Sequence, residues 1–398
     1  MLTSHSAALA QVLRDPPELG TETVPLAAAA GRILRQPLYS DRPQPPFHRV
    51  SMDGIAIDFS AYVRGQRFFP RAAVQAAGQP PVRLGDASYC IEVMTGAVLP
   101  HLCSTIVPYE RIRAEHNGFY LPEGIEDRKN VHRLGSDSEQ GALLIPSSRR
   151  IGPAEVGMLA TCGVGEVEVS RRPRVAIIAT GDELVPIDVR PAGHQIRRSN
   201  LYQLRALVEP YAESVSLHHY PDEPKQMTEH LRELLEERDV ILLSGGVSKG
   251  KFDFVPEVLR TCGVRRVFHR VAQRPGKPLW FGRRGTTAVF GLPGNPVSSV
   301  VSTLVYTLPL LRQLSGELEQ AMTYARLTEA VVFKHPLTLF RAVALTSDPA
   351  TGQLLASPVD NRGSGDGSSL LRTDGFLRLA ANQQNFAAGS VHEVIRLG

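Results

Sequence analysis

Three stretches of this 398-residue chain end an apolar run on small and polar residues. They are RVAIIAT followed by Gly181-Asp182-Glu183, DVILL followed by Ser244-Gly245-Gly246-Val247-Ser248-Lys249-Gly250, and TTAVF followed by Gly291-Leu292-Pro293-Gly294-Asn295-Pro296. Each reads as a buried strand that runs into a loop and then a helix. In parallel α/β sheets ligands bind beyond the carboxyl ends of the strands. The glycine loop carries few side chains that would keep a ligand from its backbone. Its N–H groups are therefore able to face phosphate oxygens, with Ser244 and Ser248 as further donors. A tight turn that only needs glycine's conformational freedom would give the same sequence. Two other polar strand ends in the same region weigh toward phosphate.

Asp182 and Glu183 sit just past an apolar strand, and Asp253 follows the glycine loop. Carboxylates repel a neighbouring phosphate unless a cation intervenes, and Mg²⁺ takes one or two carboxylates together with phosphate oxygens. Helix N-capping suits Asp182 and Asp253 equally well. In the third loop Asn295 reads as a helix cap, Pro296 suits the first turn, and Gly294 permits a sharp entry. The helix N-terminus behind them favours an anion. Arg274-Pro275-Gly276-Lys277-Pro278 carries two cations around a turn, read either as solvated charges or as a clamp on an oxyanion. Earlier, Ser51-Met52-Asp53-Gly54, Met94-Thr95-Gly96 and Asn130-Val131-His132-Arg133-Leu134-Gly135-Ser136-Asp137 each read, taken alone, as turn chemistry.

The elements that must position these residues follow from periodicity. From 173 onward, short apolar runs alternate with helical patterns such as SNLYQLRALVEPY and PKQMTEHLRELLEER, which predicts βα units and a mostly parallel sheet. A further helix is expected over roughly 296–314. DRPQPPF (41–47) must run extended. Residues from about 60 to 130 alternate short β-like runs with turns, and the chain after about 325 is β-patterned with glycine-rich turns. The first fifteen residues read as a short amphipathic helix, expected to pack with the helix and strand before 172. The predicted fold is thus α/β multidomain. A discontinuous N-terminal domain (1–58 and 130–172) holds an inserted β domain (59–129), followed by an α/β domain (173–320) and a C-terminal β domain (321–398).

Composition bounds the partners. With 42% hydrophobic and 21% charged residues, the chain has apolar surface for several cores without a metal or disulfide staple. Its four cysteines show no CxxC spacing, which disfavours zinc and disulfides and fits a reducing compartment. No run approaches the roughly 20 apolar residues of a spanning helix. A net charge of +4, without a basic run interleaved with aromatics, gives nucleic-acid binding no support. Neither membrane nor nucleic acid is expected as a partner.

Taken in order, SMDG, MTGA, NxxRxGxD, TGDEL, SGGVSxG followed by Asp, PGKP and GLPGNPVS resemble the molybdopterin molybdenumtransferase family, of the bacterial MoeA and gephyrin E-domain type, over essentially the whole chain. The resemblance implies a cytoplasmic homodimer whose active site lies between the α/β domain of one subunit and other domains of its partner. It implies conversion of adenylyl-molybdopterin and molybdate to molybdenum cofactor and AMP with a divalent cation, taken as Mg²⁺, and a molybdopterin adenylyltransferase as a partner. Carried over residue by residue, Gly245, Gly246 and Ser248 hold the pterin phosphate or AMP. Thr180, Gly181, Ser199, Asn200, Ser244, Gly294 and Asn295 complete that substrate site. Asp182 and Asp253 fall on metal positions. Glu183 and Asp222 (in YPDEP) fall on acidic catalytic positions. Lys277 and Pro278, with Arg274, match an oxyanion turn. Arg341 and Ser364 match residues of the molybdate pocket. Asp53, Thr95, Arg133 and Asp137 contribute from the partner-facing side, Asp53 and Asp137 as catalytic groups.

The chain departs from the family pattern at Arg198, where many members carry aspartate, and at Arg274, where lysine is usual. Both keep or add positive charge near the phosphates. In the implied mechanism Lys277, Arg274 and Arg341 offset the repulsion between molybdate and pyrophosphate, and the protein works by placement and charge stabilisation. A nucleotide pyrophosphate hydrolase of the CinA kind would use the α/β domain without SMDG and NxxRxGxD. A gephyrin-like scaffold would not need Lys277, Asp253 or the glycine loop.

Overall fold

A computed structural model describes residues 2–246, 254–317 and 322–398. The α/β part is built on a six-stranded sheet of β1 (Arg174–Thr180), β2 (Ser214–Tyr220), β3 (Val240–Ser244), β4 (Arg265–His269), β5 (Trp280–Arg284) and β6 (Thr287–Leu292). The order is β2-β1-β3-β6-β5-β4. The first four strands are parallel, and β5 and β4 extend the sheet antiparallel. Residues of β1 alternate between two cores. Val175, Ile177 and Ala179 face one layer and Ala176 and Ile178 the other. With both faces covered, such strands read as continuous apolar runs.

The helices are α1 (Ser199–Val208), α2 (Pro224–Glu237), α3 (Val255–Thr261) and α4 (Pro296–Ser302). Met227, Leu231, Leu234 and Leu235 of α2 are buried at helical spacing, so the helix packs by one stripe on the sheet. Beyond α4 the chain passes through a π turn, Thr303–Thr307, into a further helix, Leu308–Leu314. The helix expected over 296–314 is therefore present with a widened turn inside it.

In three places the structure differs from the sequence reading. No helix follows the β1 loop directly. The chain first makes a short parallel pair, Leu184–Val185 with Ile196–Arg197, and enters α1 only at Ser199. Asp182 therefore caps no helix. Secondly, the N-terminal helix His5–Val12, capped by Ser4 Oγ accepting from Ala7 N at 3.2 Å, buries Ala8 and Val12 completely. It does so in the α/β core with Val175, Val240 and Tyr306, whereas the sequence placed this helix with the helix and strand before 172. Burying Val12 contributes on the order of 1.5–3 kcal/mol, and that core offers the apolar layer its short stripe needs. Thirdly, Gly54–Ile57, expected to lie outside the β insertion, is one of its inner strands.

The chain forms two units, Met1–Thr23 with Ser148–Arg150 and Glu168–Gly398, and Val24–Ser147 with Ile151–Val167. The second contains a six-stranded mixed sheet in the order Thr105–Pro108, Gly54–Ile57, Cys90–Val93, Phe68–Gln75, Gly118–Tyr120, Arg113–Glu115. Gly54–Ile57 is buried on both faces, with Ile55 and Ile57 in one core and Ala56 in another. It has no polar alternation to announce it. In the first unit, the C-terminal strands Thr338–Ser347, Leu354–Pro358, Thr323–Leu327, Val391–Arg396 and Gly375–Leu379 pair in that order, and the last returns to the first. The result is a small closed barrel, which leaves no edge among those five strands.

Candidate active site

β2 and β3 lie on opposite sides of β1, so the direction of winding reverses between β1 and β3. Helices on either side diverge at such a point and leave a crevice at the carboxyl ends of the strands. A cleft of about 510 Å³ opens there. Its floor is Thr180, Ser244, Gly245 and Gly294, from the three strand-end loops, and its walls are the 184–200 excursion with Glu183, Arg197, Arg198, Ser199 and Asn200.

Asn200 ties the floor together. Its Nδ2 donates to Ser244 Oγ at 3.0 Å and to the carbonyl oxygen of Gly294 at 2.7 Å, joining the second loop to the third. The first loop is tied to β2, since Asp182 Oδ1 accepts from Asp222 N at 3.1 Å and the Gly181 carbonyl is 3.0 Å from His219 Nε2. The Glu183 carboxylate folds back over Gly181, where an added Cβ would lie 2.4 Å from Oε2. Gly246 has φ +66, and a Cβ there would meet Val255 Cγ2 at 2.5 Å, so this turn admits only glycine. Ser248 and Asp253 lie outside the described residues.

Asn295 occupies the N-cap position of α4 but makes no capping bond with its side chain. Nδ2 donates instead to Ser364 Oγ at 2.8 Å, and Val297 N donates to the Ser364 carbonyl at 3.2 Å. The capping role read for Asn295 is thus replaced by a link to the C-terminal loop, whose Gly365 lines the cleft.

Arg274, Lys277, Pro278 and Arg341 do not line this cleft. Gln273–Arg274 pairs in parallel with Thr338–Leu339, at the start of the strand that carries Arg341. Arg274 and Lys277 are exposed, and Arg341 Nη2 is 3.2 Å from Asp360 Oδ1. The turn packs on α4, where a Cβ on Gly276 would lie 2.8 Å from Ser302 Oγ.

In the second unit Asp53 Oδ1 accepts from Thr95 N at 2.6 Å and Thr95 Oγ1 at 2.8 Å. The backbone bond first, and the hydroxyl second, hold the Asp53 carboxyl below the usual carboxylate range. Asp137 Oδ1 lies 2.6 Å from His132 Nε2, which is the main reason its own pKa is lowered. His132 Nδ1 is 3.0 Å from Arg49 Nη2. A guanidinium only donates, so Nδ1 accepts and Nε2 carries the proton shared with Asp137. Arg49 and His132 were missed in the sequence. His132 sits inside a quoted motif, but nothing in the order of residues shows that the strand pair 49–50 and 131–132 joins them. Arg133 is exposed, and its carbonyl accepts from Ser136 N at 3.1 Å, the turn that presents Asp137.

A family model for the MoeA N-terminal region (domain I and II) matches residues 3–163, one for a probable molybdopterin binding domain matches 176–313, and one for the MoeA C-terminal region (domain IV) matches 324–397. A molybdopterin molybdenumtransferase from Synechocystis is 37% identical over 393 residues, 98% of each chain. The chain belongs to the MoeA family. Another family member of the same name, from Synechococcus elongatus, is 31% identical over 99% of each chain. Solved structures titled molybdopterin biosynthesis MoeA protein from Pyrococcus horikoshii superpose with TM-scores of 0.81 and 0.84, at 27% and 24% identity, over at least 99% of both chains. The MoeA fold accordingly extends through the β insertion, the α/β sheet and the C-terminal barrel. Among the described residues, no helix is long and apolar enough to cross a membrane.

Proposed function

We propose that this MoeA-family chain inserts molybdenum into molybdopterin, converting adenylyl-molybdopterin and molybdate to molybdenum cofactor and AMP. The observation that carries the reading is the full-length match to molybdopterin molybdenumtransferases, which spans 98% of the chain where a pyrophosphate hydrolase of one α/β domain would need only part of it. The cleft supports it chemically. The Ser244 and Thr180 hydroxyls and the Arg197 and Arg198 guanidiniums suit a phosphate-bearing ligand of the cleft's size. Arg198, the departure from the family pattern, makes no ion pair among the described residues and offers its charge to the cleft.

The chain's residues act by placement and charge. Arg197, Arg198, Ser199 and Asn200 hold the adenylyl-pterin. Lys277, Arg274 and Arg341 attract the molybdate dianion and offset its repulsion from the pyrophosphate. Asp182, whose Oδ1 accepts from the Asp222 backbone N–H at the ends of β1 and β2, offers one carboxylate to Mg²⁺, which needs only one or two besides phosphate oxygens. Asp182 and Asp253 would hold it, and bound there it would stabilise charge on the departing phosphate. The same reading takes the protein as a cytoplasmic homodimer in which Asp53, Thr95, Arg133 and Asp137 complete the partner subunit's site, with a molybdopterin adenylyltransferase delivering substrate. The divisions at 129/130, 172/173 and 320/321 belong to it too. Incubation with adenylyl-molybdopterin, Mg²⁺ and molybdate tests the activity, with AMP release and cofactor formation followed together. AMP release without cofactor would identify a hydrolase, and neither product a scaffold.

A further inference from the structure

The turn that carries Lys277 is the end of a buried polar chain that starts in the N-terminal helix. Gln273 is fully buried, and its Nε2 donates to the Pro275 carbonyl at 3.1 Å. Its Oε1 accepts from the hydroxyl of Tyr306, also fully buried, on the π turn after α4. His5 Nδ1 lies 3.0 Å from the same hydroxyl. The polarity of this chain is fixed from one end. A carbonyl only accepts, so Gln273 must turn its amide N–H to Pro275 and its oxygen to Tyr306. Tyr306 must then donate its single proton to Gln273, and His5 must donate from Nδ1. Each group has one role and none can reverse. The next residue, Gly276, has φ +91, and a Cβ there would lie 2.7 Å from Gln273 Nε2. The Lys277 carbonyl then accepts from Val271 N at 2.9 Å, closing the turn.

We propose that His5, Tyr306 and Gln273 are positioning residues for Lys277, setting the direction in which its ammonium group meets an oxyanion. This rests on the reading of Lys277 as a molybdate ligand. A buried, fully donating chain polarises and stiffens its members. A lysine side chain loses much rotamer freedom when it binds, so a turn held in place preserves affinity that a loose one would not.

Tyr306→Phe keeps the ring and removes the link, and His5→Phe breaks the chain one step earlier. Both are compared with Lys277→Ala and the unmodified protein in steady-state AMP release, varying molybdate and adenylyl-molybdopterin separately. Hydrogen exchange of the Val271 amide is measured alongside as a readout independent of turnover. Tyr306→Phe is expected to raise the molybdate concentration for half-maximal rate about three- to tenfold, the effect of one neutral hydrogen bond. The adenylyl-molybdopterin requirement should stay within about twofold, and Val271 should exchange faster. His5→Phe should act in the same direction with a smaller shift. If Lys277→Ala responds to molybdate while both chain variants match the unmodified protein, the positioning role is wrong and Lys277 stands without it. If Lys277→Ala itself leaves the molybdate dependence unchanged, the reading of Lys277 and this inference fall together. Equal loss for both ligands in a chain variant, with Val271 exchange unchanged, overturns the inference in favour of a general packing role.

Discussion

A single amide group, Nδ2 of Asn200, holds two of the loops that floor the cleft, and shortening it releases both. Asn200→Ala is expected to weaken adenylyl-molybdopterin roughly tenfold, as two neutral bonds of about 0.5–1.5 kcal/mol each would allow. The molybdate requirement should change little, and titrating each substrate separately in AMP-release assays checks this. Arg341→Ala should do the opposite, raising the molybdate requirement by on the order of tenfold, because a charge-assisted partner is lost. Its ion pair with the fully exposed Asp360 is a weak competitor. In the second unit, Thr95→Val removes one of two donors to Asp53, so the Asp53 carboxyl should titrate at higher pH, closer to the ordinary range. A ¹³C NMR titration of that carboxyl reads the change, and an unmoved curve would show that the backbone bond alone sets it. Much of the cleft was legible because three polar strand ends follow one another in a region patterned as a parallel α/β sheet, where ligands bind beyond the carboxyl ends of the strands, although each taken alone reads as an ordinary turn. Asn295's partner was not legible. The sequence offers the helix N–H groups next to it as the obvious donors to its side-chain oxygen, and only the fold brings Ser364 within reach of its Nδ2.

Elements were legible where burial is one-sided or complete over a long run. The helix 224–237 shows its stripe, and β1 and β3 show unbroken apolar runs between turns. The strand Gly54–Ile57 was lost because it has only four residues, one of them glycine, with both faces covered. The π turn at Thr303–Thr307 was equally silent, since it changes the spacing of backbone bonds and not the residue types. The Pro-Gly turn at 275–276 has a more exacting demand than its sequence shows, because Gly276 needs a left-handed backbone and has no room for a methyl group. Gly276→Ala is expected to cost about 1–3 kcal/mol, measured as a lower urea midpoint, and to raise the molybdate requirement together with it. A variant as stable as the unmodified protein would mean that the turn relaxes without loss.

For the whole molecule, the proposed dimer predicts a solution mass near twice 43.4 kDa by light scattering at micromolar concentration. A monomer mass would leave Asp53 and Asp137 without the partner site assigned to them. Stability should also respond to acid through His5, whose burial, aided by Arg378, lowers its pKa to about 4 from an ordinary 6.5. Above about pH 6.5 the imidazole is neutral in folded and unfolded chains alike. Between about 6.5 and 4 only the unfolded chain takes up the proton. Stability should therefore fall by roughly 1.4 kcal/mol per pH unit in that window and level off below it. His5→Phe should show a shallower slope between pH 6.5 and 4.5 in urea melts, and an identical slope would remove His5 as the cause. The general division of the chain was legible from its changes of pattern, but the placement of the first helix was not, because its apolar stripe fits any open core. That placement has a consequence in time. His5 meets Tyr306 across 301 positions. At a synthesis rate of about 5–20 residues per second, the first helix waits on the order of 15–60 s for the layer that receives it. During that interval its apolar side chains stand in water, so the opening segment is where a chaperone or a protease would find this chain before it is finished.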